Sequence, residues 1–243
     1  MARFHTQQEV ASVVVEAPRT SRVFERHGID YCCGGRTPIA KACAAKGVDP
    51  AALLTELEAA VAAPVRETDW SKEPIGAVLD HILGVHHTFV KRELPRLVQL
   101  MDKVNRVHGA NHADTIPEMA AIWKGVAFDL EQHLAKEEEI LFPMIRALER
   151  GGASGGHGPG GGHCGGVGAP MRVMEWEHEE AGKQLDRMRT LANGYVPPAD
   201  ACGSWRALWS GLDEFERDLH MHVHLENYVL FPKARALAGD CAD

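Results

Sequence analysis

Residues 133–143 read HLAKEEEILFP, and residues 222–232 read HVHLENYVLFP. His133, Glu137, Leu141, Phe142 and Pro143 thus stand in register with His222, Glu226, Leu230, Phe231 and Pro232. The match runs on through Arg146-Ala147-Leu148 and Arg235-Ala236-Leu237. On an α-helix, residues i and i+4 share one face, a turn apart. Each stretch therefore offers an imidazole and a carboxylate to the same point in space. Two such helices facing each other would make a site for two metal ions.

Outward from the two stretches, apolar positions step by three and four. Leu83, His87, Val90, Leu94, Leu97 and Met101 form one stripe, and Met119, Ile122, Val126, Leu130, His133, Glu137, Ile140 and Met144 a second. Met171, Met174, His178, Ala181, Leu185 and Met188 form a third. Trp205, Leu208, Leu212, Phe215, Leu219, His222, Glu226 and Val229 form a fourth. Four amphipathic helices with core-facing stripes, and no alternating strand, predict an all-α fold built on an antiparallel four-helix bundle. Pro95 inside the first helix predicts a local kink.

Residues 1–64 read as a small helical N-terminal domain with short helices over 8–15, 21–27 and 37–46. Gly28 and Gly47 follow the last two as left-handed caps. Asp49-Pro50 opens a fourth helix, with Asp as N-cap and Pro in its first turn, and Ala62-Ala63-Pro64 ends it. The bundle domain then spans 65–243. Within it, residues 151–169 are mostly glycine and read as a flexible linker. Metal capture by His157, His163 and Cys164 inside that tract is the competing reading.

The chain has 243 residues, 45% hydrophobic and 25% charged, with a formal net charge of −8. That is ordinary for a soluble globular protein. An acidic balance with no long basic run argues against nucleic acid and anionic membranes as partners. The start lacks the apolar stretch of a signal peptide, and nothing reaches the length of a membrane span. Six cysteines in a chain this long do not make a disulfide framework. The expectation is a cytoplasmic protein with reduced thiols.

Six stripe positions are not apolar: His87, His133, Glu137, His178, His222 and Glu226. A buried carboxylate costs several kcal/mol unless paired or coordinated, and no Lys or Arg occupies a neighbouring stripe position. A lone histidine on an apolar face is usually a hydrogen-bonded core residue. Here six polar positions are ordered as a repeat, with one helix of each half carrying a single His and the other the His-x-x-x-Glu pair. Mixed imidazole and carboxylate suits iron, manganese or zinc, and two carboxylates suit bridging in a dinuclear site. His86 is rotated off the stripe. His81, His108, His112, His220 and His224 also fall off it and are expected at the surface or behind the ligands. Asp129 and Asp218, four residues before His133 and His222, either accept from the ligand imidazoles or face solvent. The second signal is DYCCGG over Asp30–Gly35. Cys32 and Cys33 read either as two small buried residues or as a thiol pair that handles electrons, iron or an electrophile. Cys43, Cys202 and Cys241 carry no spacing that implies a site.

The double His-x-x-x-Glu stretch and DYCCGG together resemble the RIC family, the bacterial repair-of-iron-centres proteins, over nearly the whole chain. His87 within Asp80–Pro95, and His178 within MEWEHEEAG (174–182), match the family motifs, as do His133, Glu137, His222 and Glu226. The resemblance implies a hemerythrin-like bundle preceded by a short N-terminal domain. It also implies a non-haem site of two iron ions bridged by Glu137 and Glu226. The implied function is protection under nitrosative and oxidative stress, with damaged iron-sulfur proteins as partners. Repair by iron donation ranks first. Reduction of nitric oxide to nitrous oxide, an enzyme activity, ranks second, and an oxygen or iron sensor third. Nitric oxide or oxygen is the implied small ligand. Cys32 and Cys33 would pass electrons or iron. A homodimer is compatible with the resemblance, although the sequence does not fix the oligomeric state.

Overall fold

The computed structural model describes residues 3–62, 68–151 and 166–239. His157, His163 and Cys164 of the glycine tract, the boundary at residue 64, and Cys241 lie outside the described residues.

In chain order the helices are α1 (Val10–Glu16), α2 (Ser21–Arg26), α3 (Ile39–Lys46), α4 (Pro50–Ala62), α5 (Ile75–His81), α6 (Thr88–His108), α7 (Ile116–Lys136), α8 (Phe142–Glu149), α9 (Gly168–Leu191), α10 (Gly203–Leu225) and α11 (Phe231–Ala238). Three π-helical stretches, Ile82–His87, Glu137–Leu141 and Glu226–Leu230, join α5 to α6, α7 to α8 and α10 to α11. Apart from an isolated antiparallel bridge between Glu9 and Pro38, the regular structure among the described residues is helical.

These residues form two compact units. The first comprises the chain up to Leu79 together with the segment from His220. Its short helices end where the sequence predicts, with Gly28 at φ +61° and Gly47 at φ +67°. Asp49 caps α4, its carboxylate accepting the amides of Ala51 at 3.2 Å and Ala52 at 3.3 Å. Val10, Val14, Phe24, Ile39, Leu53 and Leu57 fill its core.

The second unit spans Asp80–Leu219. In it α6, α7, α9 and the stretch of α10 up to Leu219 alternate in direction. The start of α6 meets the end of α7 through Lys91 and Glu138 (2.6 Å), and the start of α7 meets the end of α9 through Glu118 and Arg187 (2.7 Å). His108, at the end of α6, packs on Trp205 at the start of α10, ring centroids 4.9 Å apart. Leu97, Met101, Trp123, Leu185, Met188, Leu208, Leu212 and Phe215 are buried together. The apolar stripes thus pack inward as an antiparallel four-helix bundle, and α6 runs on through Pro95.

One expectation about register fails. Ile140, placed on the second stripe, is 53% exposed, while Leu141, Phe142 and Ile145 are buried. A π turn holds one residue more than an α turn, so the buried face slips by a position just after Glu137. Proline supplies the physical reason. Pro143 has no amide hydrogen, and in an uninterrupted α-helix its ring would crowd the carbonyl four residues back, at Glu139. Opening the coil there lets α8 restart with Pro143 in its first turn, where no amide hydrogen is needed. Pro232 stands in the same relation to the π turn Glu226–Leu230 and α11.

Candidate metal centre

Within the second unit, four of the predicted residues come together. His87, His133, Glu137 and His178 are buried, each below 5% exposure. His87 Nε2 lies 3.4 Å from Glu137 Oε2. His133 Nε2 lies 3.2 Å, and His178 Nε2 4.0 Å, from the other oxygen, Oε1. The two ring nitrogens of His178 and His133 are 3.1 Å apart. The carboxylate therefore has one imidazole on one oxygen and two on the other.

The outer nitrogens settle the proton positions. His87 Nδ1 donates to Glu138 Oε1 at 2.7 Å, and His133 Nδ1 donates to Glu177 Oε2 at 2.8 Å. Neutral rings held this way carry their proton on Nδ1 and present a lone pair at Nε2. Burial raises the Glu138 carboxyl, but the hydrogen bonds from Lys91 and His87 outweigh it and hold the group below its ordinary value. The His133 hydrogen bond, with help from Lys136, pulls Glu177 down to about 2. Both outer carboxylates are anionic at neutral pH, which makes the imidazoles stronger donors. Lone pairs converging on a carboxylate inside an apolar bundle repel one another unless a cation sits among them. Separations of roughly 3.0–3.5 Å are those of adjacent ligands around one ion with bonds near 2.1 Å. The donor set fits a metal of the iron, manganese or zinc type.

In the first unit, His222 Nε2 lies 3.2 Å from Glu226 Oε1, and both residues are fully buried. The pair has the same spacing and the same π turn as His133 and Glu137.

Comparison with known proteins agrees. Residues 78–234 match the family described as the hemerythrin HHE cation binding domain, and residues 6–61 match a domain of unknown function, DUF542. The chain is 37% identical over 237 residues to the iron-sulfur cluster repair protein YtfE of Yersinia pestis (strain Pestoides F). The same identity and length hold for YtfE of Yersinia pseudotuberculosis serotype O:1b (strain IP 31758). Both alignments cover 97% of this chain and 99% of the relative. The chain belongs to the YtfE family. The resemblance read from the two motifs is thereby borne out, as is the hemerythrin-like fold with a helical N-terminal domain. The family's cation-binding domain contains every stripe residue. No helix among the described residues is long and apolar enough to cross a membrane.

The DUF542 segment of this YtfE-family chain carries the cysteine pair. Asp30 is its organiser. Its carboxylate accepts the amides of Cys32 (2.8 Å), Cys33 (3.0 Å) and Gly34 (2.7 Å) and the Cys32 thiol at 3.3 Å. Burial raises the Asp30 carboxyl, but these amides outweigh it and keep the group anionic. The Cys32 and Cys33 sulfurs are 3.7 Å apart and not bonded. The Cys33 sulfur, burial and the Asp30 charge push the Cys32 thiol well up, so it is protonated. Gly35 cannot be replaced without movement, because a Cβ there would lie 2.5 Å from the Tyr31 carbonyl and 2.7 Å from Ala11 Cβ. Three residues flanking Glu226 clamp the loop. His224 Nδ1 donates to Tyr31 O (3.1 Å), Asn227 Nδ2 to Cys32 O (3.0 Å) and Tyr228 Oη to Cys33 O (3.4 Å).

Several expectations change here. Asp218 accepts from His86 Nδ1 at 3.0 Å, and Asp129 is exposed, so the partners of the ligand-type rings are Glu138 and Glu177 instead. The signal for Glu138 was its place directly after Glu137; Glu177 directly precedes His178. His86 and His224, both read as lying off the stripe, are buried: His86 stands inside the π turn Ile82–His87, which shifts the buried face by a position, and His224 is covered by the Tyr31 loop.

Proposed function

We propose that this chain holds two iron ions through His87, His133, Glu137, His178, His222 and Glu226, and donates iron to iron-sulfur clusters damaged by nitrosative or oxidative stress. The observation that carries this reading is Glu137. Its two oxygens face separate sets of imidazole nitrogens, as a bridging carboxylate requires. His222 and Glu226 repeat the His133–Glu137 pair in sequence, spacing and π turn, which supports Glu226 as the second bridge. The names of the curated relatives supply the repair function.

Iron is the cargo in this reading. Shared between two ions, the donor set would give each two imidazoles and two carboxylate oxygens and would leave positions for an incoming acceptor. Glu138 and Glu177 keep the imidazole protons on Nδ1, so Nε2 stays a donor. Burial of all six side chains keeps bulk water out. The trio Asp30, Cys32 and Cys33 offers ligand atoms within 4.8 Å of one another, and we assign the thiol pair to iron transfer. Bound iron supplies a charge that can displace the Cys32 proton.

The test uses anaerobically purified full chain. Elemental mass spectrometry should find about two irons per chain, as a dinuclear carboxylate–histidine site requires. Mixing with a hydratase whose cubane cluster has lost one iron should restore its activity while this chain loses iron. Nitrous oxide formation from nitric oxide, without iron loss, would replace donation by reduction. One zinc per chain would overturn both.

A further inference from the structure

The other end of the bundle carries a second group of reactive side chains. It lies at the end of α6, about 30 Å from His87 at ~1.5 Å per residue along that helix. Cys202 directly precedes α10, a helix of 23 residues, and its sulfur lies 3.2 Å from His108 Nε2. The amides of Trp205 and Ser204 point at the same sulfur. His108 is itself held. It packs on Trp205, which His112 also meets at 4.7 Å between centroids, and His112 Nε2 lies 2.9 Å from Asp200 Oδ2. Beside the sulfur is a cavity of about 310 Å³ lined by Lys103, Val104, Val107, His108, Cys202 and Ser204. The residue is exposed.

Each feature has a chemical consequence. A thiol next to an imidazole, with that ring braced by a third group, is the arrangement that activates a nucleophile. Helix amides and the helix dipole stabilise an anion on the sulfur. Together with His108 they bring the thiol down to about 7. The titratable and charged groups around it are Lys103 and His108 on α6, His112 after it, Asp200 before α10 and Arg206 on α10. Asp200 is engaged by His112, and Arg206 by the Ala201 carbonyl at 3.1 Å. Lys103 lines the cavity, and Val104 and Val107 give it an apolar side.

We propose that Cys202 and His108 form a nucleophilic thiol site that takes up small anionic disulfides as mixed disulfides. The Cys202 sulfur attacks one sulfur of the small disulfide. The old S–S bond breaks as the new one forms. His108 Nε2 accepts the Cys202 thiol proton and passes it to the departing thiolate. The protein thiol is oxidised, and half of the small disulfide is reduced to a thiol. The apolar wall receives the alkyl arm, and Lys103 receives the carboxylate.

The probe is glutathione disulfide on the full-length protein, followed by peptide mass spectrometry of every cysteine. Cys202 should be modified first. Lowering the thiol from 9 to about 7 raises the thiolate fraction at pH 7 about 50-fold, and the weaker nucleophile returns roughly eightfold, so a net gain near sixfold is expected over an ordinary cysteine. His108→Gln should slow the reaction at pH 7 several-fold and move the midpoint of the pH–rate curve upward. Cystamine, a cationic disulfide, should react more slowly than glutathione disulfide, and Lys103→Glu should reverse that order. Equal rates at Cys202 and in a peptide spanning residues 195–210 would overturn the site, as would an unchanged pH profile in His108→Gln. Faster reaction with cystamine would overturn the anionic class. If circular dichroism shows that His108→Gln is unfolded, the wild-type profile against the peptide decides.

Discussion

The two His-x-x-x-Glu stretches are alike where they hold ligand-type atoms and unlike just outside them. In both, ring nitrogen and carboxylate oxygen are 3.2 Å apart, and a π turn begins at the glutamate. After Glu137 comes Glu138, which accepts from His87. After Glu226 come Asn227 and Tyr228, which donate to the carbonyls of Cys32 and Cys33. One copy spends its outer residues on electrostatics around imidazoles. The other spends them on fixing a cysteine loop. A repeat can thus keep its donor geometry while its next residues take separate tasks.

The sharpest way to break this comparison is to remove each glutamate. Glu137→Ala takes away the carboxylate on which three imidazoles converge, and iron should fall from about two to below about half an ion per chain. Glu226→Ala should leave about one, since the second unit keeps its own four donors. Elemental mass spectrometry of anaerobic protein checks both, and equal losses would make the two copies equivalent. The outer residues should separate next. Glu177→Ala strips His133 of its acceptor and should weaken iron binding about 10–100-fold in a chelator competition. Asn227→Ala should leave that affinity within about threefold, but speed amide exchange over residues 32–35 by roughly two- to tenfold, the worth of one hydrogen bond. If Asn227→Ala weakened iron as much as Glu177→Ala, the division of tasks would be wrong. The smallest effect concerns register. Ile140→Lys should change stability by no more than about 0.5 kcal/mol in urea melts, because the side chain is already in solvent. A large loss would put Ile140 back on the buried stripe.

Much of this was legible in the sequence, for reasons specific to each residue. His87, His133, Glu137 and His178 could be grouped because a buried stripe admits few polar residues, so each exception stands out. The caps at Gly28, Gly47 and Asp49 were legible because each answers one local backbone need. Glu138 and Glu177 were not, because their distance from His87 and His133 along the chain, 51 and 44 residues, carries no periodic signal. The π turns escaped because steps of three and four tolerate a slip of one. Only the proline after the turns at 137–141 and 226–230 hinted at them. Cys202 escaped because its partner, His108, is 94 residues away.

The π turns have a consequence for how these helices tolerate changes of length. Removing a residue from an ordinary α-helix rotates everything beyond it by about 100° and carries the buried face into solvent. Residues 137–141 and 226–230 already hold one residue in surplus. Loss of a single exposed residue there, such as Glu139, would close the turn and leave Phe142 and Ile145 facing inward, but it would also set Pro143 against the carbonyl of Glu138, four residues back in the shortened helix. These turns are slack in the chain that the proline holds open, so such a deletion should be absorbed only together with Pro143→Ala, while the same loss one turn earlier unfolds the bundle.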